Sequence, residues 1–147
     1  ASADYVKFTS NLFTEAGDTI TGFNANTGAD VIEFSNSVVT TGNTTWSTLL
    51  TTDVNGTVGA NDVFIEITTT LSDLTSASSV ASSLSGFNVG NVANGETVIF
   101  AVQDGADTYL WAFTQDARSG IQAGDLTLVA KLVGVTDIAN GDLALGA

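Results

Sequence analysis

Histidine, cysteine, methionine and proline are all missing from this 147-residue chain, and only three residues carry a positive charge. Without imidazole or thiolate, a zinc site built from nitrogen and sulfur ligands cannot form. A cysteine nucleophile and a Ser-His-Asp triad are excluded on the same ground. Three basic against sixteen acidic residues, a formal net charge of −13, argue against a nucleic-acid partner, whose phosphates need clustered Lys and Arg. An anionic lipid surface is disfavoured for the same reason. No apolar run approaches the ~18 residues of a membrane span. What remains open is carboxylate chemistry, or a metal held by oxygens alone. Absence of cysteine from an acidic chain rich in Thr, Asn and Gly suits an extracellular bacterial protein stabilised by metal rather than by disulfides.

The length suits one domain that buries roughly two thirds of its unfolded surface. No linker divides the chain, so residues 1–147 read as a single β-rich domain. Ala1-Ser2-Ala3-Asp4 has neither the basic region nor the apolar stretch of a secretory signal. A strand pattern follows almost at once, and the expectation is the C-terminal part of a longer secreted chain.

What the chain has in quantity is one phrase: two small or polar residues, an aspartate, then a strand-like run. It occurs at Asp4, Asp18, Asp30, Asp62, Asp107, Asp125 and Asp142, which are seven of the sixteen acids. Small residues allow a tight turn, and the aspartate sets a carboxylate beside the turn's carbonyls. Oxygen clusters of that kind suit a hard cation, above all calcium. Two candidate metal sites follow. Asp18, Asn24, Asn26 and Asp30 would surround the turn after Phe23, and Asp104, Asp107, Asp116 and Asp125 would form a second site. The competing explanation is an Asx-turn, in which each aspartate accepts a local backbone N–H.

Hydrophobic alternation supplies the strands. Tyr5 to Phe8, Thr19 to Phe23 and Val31 to Phe34 are short ones separated by Gly- and Asn-containing turns. Val63 to Thr68 places Val63, Ile65 and Ile67 on one face, with Glu66 on the other as in a half-exposed strand. The runs 97–102 and 108–113 flank Asp104-Gly105-Ala106-Asp107, a strong hairpin signal. Tyr109, Trp111 and Phe113 then share a core face. Leu126 to Val133 gives a further strand after a loop from Gln115 to Gly124. Leu71, Leu74, Ala77, Val80, Ala81 and Leu84 recur at three- and four-residue steps before Gly86, predicting a helix near 72–85 that starts at Ser72 or is capped by Asp73. A second short helix is expected over Thr45 to Thr52. The fold class is mainly β: a β-sandwich or β-roll-like domain with one or two short helices.

Gly28-Ala29-Asp30-Val31-Ile32 fits the second half of the glycine- and aspartate-rich nonapeptide of repeats-in-toxin proteins. Ala25 and Asn26 replace the leading glycine pair, and twelve positions separate Asp18 from Asp30, so a regular calcium roll is not expected. The chain more closely resembles the C-terminal domains of type I-secreted bacterial proteins of that family. The resemblance runs through Asp18-Thr19-Ile20-Thr21-Gly22-Phe23, Asp30 to Phe34, Gly105-Ala106-Asp107-Thr108-Tyr109, and Leu132-Val133-Gly134-Val135 through Asp142-Leu143. It departs in the loop Asp116-Ala117-Arg118-Ser119-Gly120, which has fewer acids, and in the long middle from Ser35 to Asn94.

The resemblance implies a non-enzymatic, calcium-stabilised domain of a surface protein, such as an S-layer protein or large adhesin. Its unfolded chain would be recognised by a type I secretion channel through the final segment, and would fold on meeting extracellular calcium. Cell-surface polysaccharide or neighbouring copies are the further partners implied. Two other readings remain. A carbohydrate-binding or adhesin module would use Trp46 or Trp111 as its platform, with Trp46 the better placed. An accessory domain of a hydrolase would draw on Glu15, Glu33, Glu66 or Glu96, but no spacing singles out an acid and a nucleophile.

Overall fold

The computed structural model describes residues 4–9, 17–26, 30–36, 38–39 and 49–146. These residues form nine strands in two sheets, with one α-helix. The strands are β1 (Tyr5–Phe8), β2 (Asp18–Thr21), β3 (Val31–Ser35), β4 (Leu50–Thr52), β5 (Phe64–Thr70), β6 (Thr97–Gln103), β7 (Thr108–Thr114), β8 (Leu126–Val133) and β9 (Leu143–Gly146). A three-stranded sheet runs β1-β3-β9 and a six-stranded sheet runs β2-β8-β7-β6-β5-β4. The class is a β-sandwich carrying a short helix.

Five strands trace a roll. In chain order, β1, β2, β3, β8 and β9 alternate between the two sheets, and β1, β3 and β9 pair in parallel, as do β2 and β8. Tyr5 lies opposite Val31, so one circuit takes 31 − 5 = 26 residues, longer than two nonapeptides. The unusually long middle of the chain is an excursion from this path. Between β3 and β8 it lays down β4 to β7 and the helix, extending the larger sheet sideways.

The six-stranded sheet is covered on both faces, which explains its near-continuous apolar strands. Between the sheets, Ile32, Phe34 and Leu143 pack with Phe64, Ile99, Leu110, Ala112 and Leu132. On the outer face, Ile65, Ile67, Phe100, Tyr109, Trp111 and Phe113 pack under Leu74, Val80, Leu84 and Phe87. The shared face expected for Tyr109, Trp111 and Phe113 is therefore present. Trp111 is buried in β7, flanked by β6 and β8, and donates from Nε1 to the carbonyl of Leu74 at 3.1 Å. Between Leu110 and Trp111 the β7–β8 register slips, so Val129 has no partner across the ladder. Val129 and Ala130 consequently both point between the sheets.

Three local expectations change. The helix is Ala77–Ser83, with Ser76 as its N-cap residue. Asp73 lies outside it in a left-handed conformation, φ 57°, and accepts from Ser79 Oγ. Leu50–Thr52 is a strand rather than the end of a helix, because parallel pairing with Ile65 to Ile67 outweighs a weak local helical pattern; residues 45–48 lie outside the described set. Val63 precedes β5 and packs between the sheets beside Phe64, away from Ile65 and Ile67. Among the described residues no helix is long and apolar enough to cross a membrane.

Candidate functional site: the carboxylate turns and the corner at Asp30

Each aspartate of the recurring phrase stands at the threshold of a strand: Asp4, Asp30, Asp107, Asp125 and Asp142 immediately before one, Asp18 as the first residue of β2, Asp62 two before β5. Four strands are entered by the same device. The acid's own N–H donates to the carbonyl three residues back, and its carboxylate accepts that residue's N–H. The pairs are Gly59 with Asp62 (2.7 Å to the carboxylate), Ala93 with Glu96 (2.8 Å), Gln122 with Asp125 (3.0 Å) and Ala139 with Asp142 (2.7 Å). This reciprocal closure satisfies donor and acceptor together, as a capping box does at a helix start.

Two buried carboxylates, Asp30 and Asp142, tie one corner of the roll. Asp30, 6% exposed, accepts the N–H of Asp4 (3.1 Å) from the preceding circuit, and both the N–H (2.8 Å) and Nδ2 (3.3 Å) of Asn24. The N–H of Asn24 and then that of Asp4 hold its carboxyl below the usual aspartate value. Asp142, 1% exposed, accepts the N–H of Asn26 (2.9 Å) besides that of Ala139. Asn26, at φ 63°, also donates Nδ2 to the carbonyl of Asp137 (3.1 Å) and so enters the corner as a donor. Phe23, Asn24 and Asn26 face Gly134, Val135 and Asp137 across a groove of about 270 Å³.

Of the first sequence-derived set, then, Asn24, Asn26 and Asp30 come together. Asp18 starts β2 in the other sheet, opposite Ala130. The second set is divided. Asp104 accepts the N–H groups of Ala106 (2.9 Å) and Asp107 (2.8 Å) inside the hairpin turn. Asp107 accepts the N–H of Gly134 (2.8 Å) and pairs with Lys131 at 2.7 Å. Asp116, paired with Arg118, and Asp125 lie at the far end of β7, where they line a groove of about 460 Å³ with Thr114 and Thr127. The seven residues of β7 separate the two halves by roughly 20 Å. The loop from Gln115 leaves the hairpin's open end and never returns to its turn.

The hydrogen bonds leave an electrostatic record. The N–H groups of Asp107 and, next, Ala106 lower the Asp104 carboxyl. Lys131 and then the N–H of Gly134 lower Asp107, and the Arg118 N–H lowers Asp116. Among the described residues no group of three or more acidic side chains converges as a cation would require.

Glu66 is not on a half-exposed face. It is 6% exposed and accepts the N–H of Ile138 (3.0 Å) and the hydroxyl of Thr51 (3.1 Å). Its strand is covered on both sides, which alternation alone could not reveal. Burial of Trp111 removes it as a sugar platform, while Trp46 and Glu15 lie outside the described residues. Asp142 was legible through its phrase; Asp137, which carries no motif, was not. No family model, no curated protein and no solved structure matches this chain.

Proposed function

We propose that this chain is a non-enzymatic roll module of a secreted bacterial surface protein, of the type I-exported repeats-in-toxin kind, and that calcium stabilises it. The observation that carries this reading is the alternation of β1, β2, β3, β8 and β9 between two sheets, with an aspartate at the entry to each strand. β1, β3 and β9 run parallel, so Asp4, Asp30 and Asp142 stand at one end of the small sheet and gather negative charge there. Calcium would relieve it, with Asp30 the carboxylate on which the reading turns. A net charge of −13 opposes compaction wherever cations are scarce. The chain would therefore cross a secretion channel unfolded and complete its fold outside.

Melting in millimolar calcium, in magnesium and in chelator tests this. A ligand bound only to the folded state adds about 2.7 kcal/mol at a hundredfold excess over Kd. The expected result is a rise in Tm with calcium alone, largely lost in Asp30→Ala. Equal melting in calcium and chelator would remove calcium from the reading. Export has its own test: fusion of residues 1–147, with and without the stretch after Gly134, to a slow-folding reporter in a host with a type I channel. Secretion only of the intact fusion supports the export role, and equal secretion of both removes it.

A further inference from the structure

Asparagine is chemically labile, most of all before glycine, which leaves the neighbouring backbone nitrogen open to approach. The pair occurs three times, at Asn55-Gly56, Asn94-Gly95 and Asn140-Gly141. As a dipeptide the three are alike, and the tertiary structure separates them. The N–H of Gly56 donates to the carbonyl of Asp53 at 3.2 Å, and that of Gly95 to the carbonyl of Gln115 at 2.8 Å. The related step Asp104-Gly105 is tied in the same way, by the Gly105 N–H to Oε1 of Gln103 at 2.8 Å. The N–H of Gly141 makes no hydrogen bond of ordinary geometry among the described residues.

The other half of this pair is also set for reaction. Asn140 lies exposed at the turn that leads into β9. Its Oδ1 accepts the N–H of Leu49 over a long 3.4 Å. That donor is aimed at the oxygen on which charge gathers when the amide carbon is attacked.

We propose that Asn140-Gly141 is a self-modification site, at which the folded chain converts Asn140 to aspartate and isoaspartate without an enzyme. The Gly141 nitrogen bonds to Cγ of Asn140 while the Cγ–Nδ2 bond breaks. Nδ2 leaves as ammonia, with the proton that Gly141 gives up. Water then opens the cyclic imide. Attack at Cγ gives aspartate, and attack at the backbone carbonyl gives isoaspartate, whose main chain runs through Cβ and Cγ and is one atom longer.

The position decides what this does. Asn140 and Gly141 are the two residues enclosed by the reciprocal bonds between Ala139 and Asp142. An added main-chain atom there draws Asp142 away from Ala139, and from the Asn26 N–H that ties this turn to the corner at Asp30. β9 follows at once, an outer strand paired only with β3. Both products also add a negative charge beside Asp142, in a chain already at −13. No metal takes part, so the reaction stands apart from the calcium reading.

Peptide mapping by mass spectrometry tests this on the whole chain at pH 8 and 37 °C, folded and in guanidinium chloride. In the folded chain, Asn140 should gain the mass of an amide-to-acid exchange about five- to tenfold faster than Asn55 and Asn94. That is the factor by which one net backbone hydrogen bond holds a nitrogen back. In guanidinium chloride the three should react at similar rates, since no fold then distinguishes them. Asn140→Gln should remove the fast phase from the folded chain. Hydrogen exchange on the isoaspartyl fraction should show 143–146 less protected than in fresh protein. Equal rates at the three sites in the folded chain, or Asn140 the slowest, would overturn the proposal. So would a fast phase that persists in Asn140→Gln. Unchanged protection of 143–146 in the isoaspartyl fraction would overturn the consequence for β9.

Discussion

A carboxylate placed three residues after a free N–H closes a turn twice over, and the cost of losing it depends on how deeply it is buried. Asp142 is almost wholly enclosed and takes N–H bonds from two separate stretches of chain. Removing it orphans both donors, each charge-assisted bond being worth about 1.5–3 kcal/mol. Asp142→Ala should accordingly lower stability by roughly 2–4 kcal/mol in urea denaturation. Asp53, whose carboxylate receives only the N–H of Asn55 on an exposed turn, should cost about 0.5 kcal/mol or less on the same change. Similar losses at the two positions would show that the turn bonds contribute little and that Asp142 matters for something else.

Among the elements, the β6–β7 hairpin is the one on which both halves of the core depend. Its two faces feed the clusters on either side of the large sheet. Phe100 packs edge-on against Phe87 at 5.2 Å and against Phe113 at 6.1 Å. Trp111 adds a hydrogen bond to Leu74, tying the stretch before the helix to the hairpin. Trp111→Ala should cost roughly 3–5 kcal/mol. Tryptophan emission provides an independent check: the Trp46→Phe protein, with Trp111 as its one tryptophan, should keep a blue-shifted band. A red-shifted band in the Trp46→Phe protein would place Trp111 in water and contradict the packing described here.

For the whole molecule, pH acts in two opposed ways. Asp30, Asp104, Asp107 and Asp116 all have lowered carboxyl values, through N–H bonds at Asp30, Asp104 and Asp116 and through Lys131 at Asp107. Their contribution is present above the ordinary aspartate value and is lost as pH falls through the lowered ones. Glu66, raised by burial, contributes in the opposite sense, above the ordinary value. Repulsion among the sixteen acids also grows as pH rises. Tm measured from pH 2 to 8 in chelator should therefore pass through a maximum near the ordinary carboxyl range. Added monovalent salt should flatten the neutral side by screening. A Tm that climbs steadily to pH 8 would mean that the paired aspartates outweigh both Glu66 and net charge.

The chain by itself determined whatever depends on neighbours a few residues apart. Alternation located β5 to β8, Asp-Gly located the hairpin, and the repeated aspartate marked where strands begin, because turn closure and strand pleat are local in range. Missing residue types excluded whole classes of chemistry before any fold was known. Tertiary structure decided what depends on segments far apart in the chain. It carried the excursion from β3 to β8 into the edge of one sheet, set Asp104 and Asp125 at opposite ends of the same strand, and covered the face of β5 on which Glu66 stands. Alternation assigns a side chain to one of two faces but is silent on what covers each face. That depends on segments far apart in the chain, 72 residues in the case of Glu66 and Ile138, and for a carboxyl group the covering decides whether it is a solvated charge or a buried acid.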